Sequence, residues 1–396
     1  MGTFLPLMIL LLAISALVRD DFSLTLIYLV VCAWAGGSWW GRRSLAQVQV
    51  ERHFNDHAFL DEQVKIDLHV RNRGWLPVIW VSLQDSLPVA LSTSPAFEQV
   101  LSLGPGVEAH FSYSVYANKR GYYPIGPLFI SGGDLLGLGT PIRLENQPQH
   151  LTVYPKVIPL SSVQIPSRSP QGTLRHTQPV FEDPTRLFAK REYVAGDSLR
   201  RVDWKASASS GRLQVKLFEP SIALETLILL DLDSENYGYK KKIDEMELAI
   251  VIAASLAAWI SGKKQTVGLK INGFDPLTAD GTPEYLPPRK GQAQLMRVLE
   301  TLARVKTVTQ VPALTEMLRQ QRHRLSWGTS LIVITGHADS TLLEELYQAR
   351  RAGQNAALVL VGAPPASAKA STARARQFGI PLTAIGDERG LDIWRK

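Results

Sequence analysis

Acidic side chains cluster at one point of the sequence, in the segment Asp231-Leu232-Asp233-Ser234-Glu235, which directly follows an apolar run. Carboxylate oxygens are the ligands that Mg²⁺, a hard cation, prefers in proteins. Asp231, Asp233 and Glu235 are therefore weak candidates for a magnesium site, and a magnesium-dependent enzyme or metal-dependent binding module is one hypothesis for the chain. We favour the alternative, a solvated loop at the end of a strand whose carboxylates cap the next helix.

The sequence carries no other recognisable catalytic set. It contains no His-Glu-x-x-His zinc motif, no Gly-x-Ser-x-Gly nucleophile elbow and no Gly-x-x-x-x-Gly-Lys-Ser/Thr phosphate loop. His53 and His57 are four residues apart, but in the strand and turn predicted there this spacing separates them by about 13 Å. The single cysteine, Cys32, permits no intrachain disulfide, which fits a reducing compartment. We expect a protein that is not an enzyme and that needs no cofactor.

Basic residues are concentrated in one part of the chain. The net charge is +7, and residues 186–219 hold eight lysines or arginines against four acidic residues. A basic chain suggests nucleic acid or an anionic membrane surface as a partner. No basic run with interleaved aromatic residues occurs, so we expect no nucleic-acid binding.

The same basic segment supports two structural interpretations. The first is a network of internal ion pairs that holds a β-sandwich against an α/β domain, with Trp204 buried between them and Arg200 paired with Asp197 or Asp203. The second is an exposed docking surface for an acidic partner or for lipid headgroups. We favour the first interpretation, and we expect Trp204 to be largely buried between the domains and Arg200 to be paired with one of these carboxylates; an exposed tryptophan would favour the second.

The residue order in this segment resembles the signature of the "domain of unknown function 58" family. That signature contains Arg-Glu-Tyr, then Gly-Asp, then an arginine, and then Asn or Asp followed by Trp-Lys-Ala. The corresponding residues are Arg191, Tyr193, Gly196, Asp197, Arg200, Asp203, Trp204 and Lys205. Residues 119–123, 126–127 and 134–138 are also similar to segments of that family.

The resemblance implies both an architecture and a set of partners. Members carry two N-terminal membrane helices and an α/β domain similar to the von Willebrand factor type A domain. They are encoded beside AAA+ ATPases of the MoxR type, and often near transglutaminase-like membrane proteins. The implied function is a membrane-anchored adaptor or scaffold that works with such an ATPase in protein maturation or envelope-related assembly. A purely structural envelope protein is the other alternative.

The sequence departs from the metal-binding form of the type A domain. The usual first motif is Asp-x-Ser-x-Ser, whereas the corresponding positions here are Asp231, Asp233 and Glu235. Thr335 is followed by Gly336, where an aspartate is common. Because extra carboxylates would neutralise the bound ion, it would no longer attract a partner's carboxylate. We therefore expect partner binding that does not depend on a metal.

Two apolar segments near the N-terminus predict a transmembrane hairpin over residues 1–43. Residues 4–18 and 22–40 are free of charge, and a bilayer core needs roughly 20 apolar residues, with about 17 as the lower limit. The turn between them holds one arginine against two aspartates, whereas Arg42 and Arg43 follow the second segment. The positive-inside rule then places both chain ends in the cytoplasm of a multi-pass protein of the cell membrane.

Hydrophobic periodicity divides the remainder of the chain. Residues 44–155 show period-two alternation between turn signals, which predicts an antiparallel β-sandwich of immunoglobulin-like type. Residues 156–219 form a linker and the signature segment. Residues 220–396 alternate apolar strands with helices, which predicts a doubly wound, mostly parallel sheet. Ligands gather at the carboxyl ends of such strands.

Overall fold

The computed structural model describes residues 21–91, 96–133, 142–163, 182–195, 197–220, 225–238, 241–307 and 312–395. The chain divides into two compact units. One extends to Lys156 and includes Leu302–Arg304, and the other comprises Val157–Thr301 and Val305–Lys396.

The first unit begins with helix α1, Asp21–Leu45, which ends in the basic pair Arg42 and Arg43. Its Leu24–Leu45 part is long and apolar enough to cross a membrane, and only 11% of its most apolar window is buried. A core helix of a soluble protein would have most of this window buried, which is not the case here. The other predicted span, residues 4–18, lies outside the described residues.

Ten strands follow helix α1 among the described residues of the first unit. They are β1 (Val48–His53), β2 (His57–Ala58), β3 (Gln63–Asn72), β4 (Val78–Ser86), β5 (Ala96–Leu103), β6 (Glu108–Tyr116), β7 (Gly121–Ile125), β8 (Leu128–Gly132), β9 (Ile142–Asn146) and β10 (Gln149–Val153). The sheets run β1-β3-β6, β5-β4-β8-β9 and β2-β10-β7. All pairs are antiparallel except β2 with β10, so the prediction of a mainly antiparallel β region is confirmed.

Alternate residues of these strands face a shared core. In β1, buried and exposed residues alternate strictly, as a half-buried strand requires. Val50 and Val70 of the first sheet pack in one cluster with Leu83 and Ile130 of the second. Two sheets therefore pack face to face as a sandwich.

The first described elements of the second unit form a hairpin, and an α/β sheet follows. The hairpin strands are β11 (Glu182–Glu192) and β12 (Gln214–Pro220), with helix α2 (Trp204–Ser210) between them. The remaining strands are β13 (Glu225–Leu230), β14 (Thr266–Ile271), β15 (Leu286–Arg289), β16 (Ser330–Thr335), β17 (Asn355–Val361) and β18 (Leu382–Ile385). The helices are α3 (Lys242–Gly262), α4 (Gln292–Arg304), α5 (Leu314–Arg322), α6 (Ser340–Arg351) and α7 (Pro365–Gln377).

The six-stranded sheet has the order β15-β14-β13-β16-β17-β18, and only β15 is antiparallel. Helices α5, α6 and α7 share one core cluster with β13, β16 and β17. Helix α3 touches the same strands but contributes no residue to that cluster, so it covers the opposite face. The sheet is thus doubly wound, as the alternation of strands and helices predicts. Its winding reverses at β13, which places a crevice at the carboxyl end of that strand.

Candidate functional site

The signature residues lie on a compact structure that we call the signature hairpin: β11, β12 and residues 193–213 between them. Arg191 faces Val215 across the ladder, and Glu192 faces Gln214. Val202 forms an isolated bridge with Val215, and both side chains are buried. The long connection is therefore folded back onto β12 by a small apolar contact.

One end of the connection is closed by a bidentate ion pair. The Arg191 guanidinium donates to both carboxylate oxygens of Asp197, at 2.7 and 2.6 Å. The Val194 amide donates to the same carboxylate at 2.9 Å. Arg191, and then this backbone donor, hold the pKa of Asp197 below its usual value. Asp197 thus fixes the turn, while Gly196 lies outside the described residues.

Asp203 positions helix α2. Its carboxylate accepts from the Ala206 amide at 3.2 Å as the helix N-cap and pairs with the Lys190 ammonium at 2.8 Å. Lys190 first, and then the capping amide, lower the pKa of this carboxyl group. The Ser207 hydroxyl donates to the Asp203 carbonyl and accepts from the Gln214 amide. The helix is therefore tied to both strands of the hairpin.

Two expectations about this segment are wrong. Trp204 is 66% exposed instead of buried, because Val202 and Ser207 occupy the inward positions beside it. Arg200 is exposed and makes no ion pair with Asp197 or Asp203, since Arg191 and Lys190 already occupy those two carboxylates.

The connection carries exposed apolar groups and exposed basic groups. Its large apolar side chains are well exposed: 61% for Val194, 62% for Leu199, 66% for Trp204 and 43% for Leu213. Arg200 and Lys205 are exposed as well, whereas Tyr193 is half-buried. We call Val194, Leu199, Arg200, Trp204, Lys205 and Leu213 the apolar–basic surface. Tryptophan and arginine are enriched among the side chains that dominate protein–protein binding energy, and Trp204 and Arg200 are the two members of this surface that belong to those types.

The acidic cluster has a different geometry from the solvated loop that the sequence favours. Asp231, directly after β13, is fully buried. One carboxylate oxygen accepts from Asn272 Nδ2 at 2.6 Å and from the Asp233 amide at 3.1 Å. The other accepts from Asn236 Nδ2 at 2.8 Å and from the Thr335 hydroxyl at 2.7 Å. Burial raises the pKa of Asp231, and these donors oppose the shift.

The positions around Asp231 where a cation would bind are occupied by hydrogen-bond donors. Asp233 instead caps a single 3-10 turn, Ser234–Asn236, by accepting from the Glu235 amide, and the Glu235 side chain is exposed. Across the described parts of the chain, no group of three or more His, Cys, Asp or Glu side chains is arranged to hold a metal ion. The three weak metal candidates therefore do not converge, and Asp231 instead forms a hydrogen-bonded crosslink at the ends of the strands.

Sequence reasoning missed the two asparagines of this crosslink. Asn272 follows β14 as Asp231 follows β13, and the carboxyl ends of adjacent parallel strands lie side by side. That register is the signal that pairs them. Asn236 has no comparable signal, since its approach depends on the 3-10 turn.

Residues 189–361 match the model of a family described as "Protein of unknown function DUF58". The match begins within β11, includes residues 193–213 and ends with β17. The uncharacterized protein YeaD of Bacillus subtilis (strain 168) is 23% identical over 183 residues, which is 43% of this chain and 44% of YeaD. The match therefore covers less than half of the length of that relative.

Solved structures resemble parts of the chain at low overall similarity. The CARDB domain of a Pyrococcus furiosus protein is 15% identical, with a TM-score of 0.19; the match covers 27% of this chain and 91% of that domain. A native alpha-2-macroglobulin fragment from Escherichia coli is 20% identical, with a TM-score of 0.24, over 30% of this chain and 20% of the fragment. The fold of each unit follows from its strand pairing.

Proposed function

We propose that this chain is a membrane-anchored adaptor without catalytic activity of its own, which presents the apolar–basic surface to an acidic partner protein. The observation that carries the proposal is the exposure of Trp204 beside Arg200 and Lys205. The acidic side chains around them are already paired, Asp197 with Arg191 and Asp203 with Lys190. The exposed cations are thus available for a partner's carboxylates.

The partner we propose is a cytoplasmic AAA+ ATPase of the MoxR type. The first support is the resemblance of the signature segment to the domain of unknown function 58 family, whose members are encoded beside such ATPases. The second is a surface that combines an exposed tryptophan with cations. A transglutaminase-like membrane protein is a further proposed partner, and protein maturation or envelope-related assembly is the proposed process.

The proposed anchor is helix α1, with both soluble units in the cytoplasm. The support is its apolar 22-residue stretch and the basic pair Arg42 and Arg43 at its end. Lysine and arginine prefer the cytoplasmic side of a membrane helix. A reporter fused after Lys396 tests this orientation, since activity of a reporter that works only outside the cytoplasm would contradict it.

We further propose that the sandwich is of immunoglobulin-like type and that the α/β sheet is a von Willebrand factor A-like domain that binds its partner without a metal. The support for the second point is the occupied carboxylate of Asp231, whose donors include the amide groups of Asn236 and Asn272. A bound cation would have to displace both.

Co-purification from the native host tests the proposed partnership. The full chain is extracted in mild detergent with ATP and magnesium present, and co-purifying proteins are identified by mass spectrometry. We expect a MoxR-type ATPase to be retained with the chain and to be lost when Trp204→Ala and Arg200→Ala are combined. If the intact chain never retains such an ATPase, the proposed partnership is wrong.

A further inference from the structure

The first unit fixes one turn of the sandwich beside the end of helix α1. The indole Nε1 of Trp40 donates to the Pro77 carbonyl at 3.0 Å. The Arg73 amide donates to the Gln47 carbonyl at 3.1 Å. Gly74 lies so close to Gln47 that an added Cβ would be 2.9 Å from the Gln47 Cβ. The turn between β3 and β4, residues 73–77, is thus held against the segment that leaves the helix.

The turn is also rigid in itself. The buried side chain of Asn72 donates to the carbonyls of Leu76, at 2.9 Å, and Gly104, at 3.1 Å, and accepts from the Gly74 amide at 2.9 Å. Leu76 is 2% exposed. Its neighbour Trp75 is 71% exposed, so the fixed backbone directs this large ring away from the protein.

The position of the turn along the helix places it at the membrane boundary. The uncharged run of α1 ends at Gly41, one residue after Trp40, and Arg42 and Arg43 follow. Trp75 is two residues before Pro77, the partner of Trp40, so its Cα lies within about 7 Å of the Pro77 Cα. The headgroup layer on each side of the hydrocarbon core is roughly 5–8 Å thick. If Trp40 lies at the edge of the core, Trp75 reaches the headgroups.

We propose that residues 73–77 form a second membrane contact of this chain, with Trp75 inserted among the lipid headgroups and the exposed Arg73 against their phosphates. Tryptophan prefers this interface because its ring is apolar and its N–H is a donor. Arginine is attracted to the anionic cytoplasmic leaflet. Since α1 tethers the turn, the contact is intramolecular and needs little affinity of its own.

This contact sets the orientation of the sandwich on the membrane. Strand β4 begins at Val78, next to the turn, and Val89 follows its other end. Nine strand residues extend about 30 Å, so Val89 lies far from the turn at the other end of β4. Val89 is 85% exposed and provides a matched control position.

The inference rests on the proposed membrane anchoring by α1, and three labelled positions separate the two claims. The only cysteine, Cys32, is exposed on α1 and takes the first label in the wild-type chain. Cys32→Ser combined with either Trp75→Cys or Val89→Cys takes the others. Each full-length variant carries a nitrobenzoxadiazole dye in vesicles of phosphatidylcholine and phosphatidylglycerol. Quenching is measured with iodide in the water and with a lipid that bears a nitroxide on its headgroup.

We expect the label at position 75 to be quenched by the headgroup nitroxide and shielded from iodide, and the label at position 89 to show the reverse. A label at Cys32 that is shielded from iodide, together with labels at 75 and 89 that are equally open to it, overturns the inference and leaves the anchoring intact. A label at Cys32 open to iodide overturns both.

Because the dye has its own affinity for lipid, the second measurement uses tryptophan emission. The fraction quenched by headgroup-brominated lipid should fall in unlabelled Trp75→Phe, and an unchanged fraction also overturns the inference.

Discussion

Two arginine–aspartate pairs of nearly equal geometry have opposite surroundings in the two units. In the sandwich, Arg52 donates to both oxygens of Asp85 at 2.9 and 2.6 Å, and the side chains are 3% and 0% exposed. In the signature hairpin, Arg191 donates to both oxygens of Asp197 at 2.7 and 2.6 Å, with 41% and 20% exposed. Distances alone therefore do not distinguish the roles of the pairs.

The difference lies in what surrounds each pair. Arg52 also donates to the Ile125 carbonyl, and the Tyr113 hydroxyl donates to Asp85 at 2.6 Å. This network joins β1, β4 and β6 across the two sheets, and burial together with the Asp85 charge raises the pKa of Tyr113. The hairpin pair has water as an alternative partner and only shapes a surface loop. Removing one partner of a buried pair leaves an uncompensated charge in the core, whereas an exposed pair contributes little to stability.

The largest expected effect is on the buried pair. Asp85→Ala leaves the Arg52 guanidinium without its carboxylate inside the core, so it should destabilise the protein by about 3–5 kcal/mol. Urea unfolding of the detergent-solubilised full chain measures this. Replacing both partners, with Arg52→Met and Asp85→Leu, should recover part of the loss because no buried charge remains. A loss for Asp85→Ala no larger than for Asp197→Ala would contradict the distinction between the pairs.

Asp231 is expected to show the next largest effect. Asp231→Ala leaves several buried donors without an acceptor and should cost about 1–3 kcal/mol in the same assay. Asp231→Asn controls for the lost volume, because it keeps the size of the side chain. It places an amide donor among the other donors, so it should be destabilising as well. Wild-type thermal unfolding should be unchanged by Mg²⁺ or Mn²⁺. A metal-dependent rise that disappears in Asp231→Asn would overturn the crosslink account.

Periodicity predicts the β character of residues 44–155 and the alternation of strands and helices in residues 220–396, but not which polar residues face inward. Val48 and Val50 alternate inward, so Arg52 occupies the next inward position, and this signal could have located the buried pair. Strand β15 was missed because Pro287 and Pro288 argue against a strand. Prolines are tolerated there because β15 is an edge strand. The exposure of Trp204 could not be read from sequence, since large rings are usually buried anchors and only the hairpin's fold decides otherwise.

The pH dependence of stability should have opposite signs at two carboxylates. The pKa of Asp197 is lowered, so its contribution is present above the ordinary value of 3.8 and is lost as pH falls through its folded pKa. The pKa of Asp231 is raised in the folded protein. Its contribution to the free energy of unfolding is therefore complete below pH 3.8 and is lost as the pH rises through its folded pKa. Unfolding of Asp197→Asn and Asp231→Asn, each compared with wild type from pH 3 to 7, should give differences that change in opposite directions. If the two stability differences changed with pH in the same direction, the opposite pKa shifts assigned to Asp197 and Asp231 would be wrong.

The smallest expected effect on stability belongs to the apolar–basic surface. Trp204→Ala should change the free energy of unfolding by less than about 0.5 kcal/mol, the usual range for surface substitutions. Trp327 is 59% exposed and lies outside the signature hairpin, so Trp327→Ala is a matched control for the loss of an exposed indole.

Partner binding by these two variants tests the docking role of the signature hairpin most directly. The full chain in detergent is immobilised, and binding of the co-purified ATPase is titrated with nucleotide present. We predict at least a tenfold loss of affinity for Trp204→Ala, since truncating a central interface tryptophan costs about 2 kcal/mol or more. Trp327→Ala should bind as the wild type does. Equal affinity of Trp204→Ala and wild type, with the fold of both intact, would show that the signature hairpin is not the docking surface.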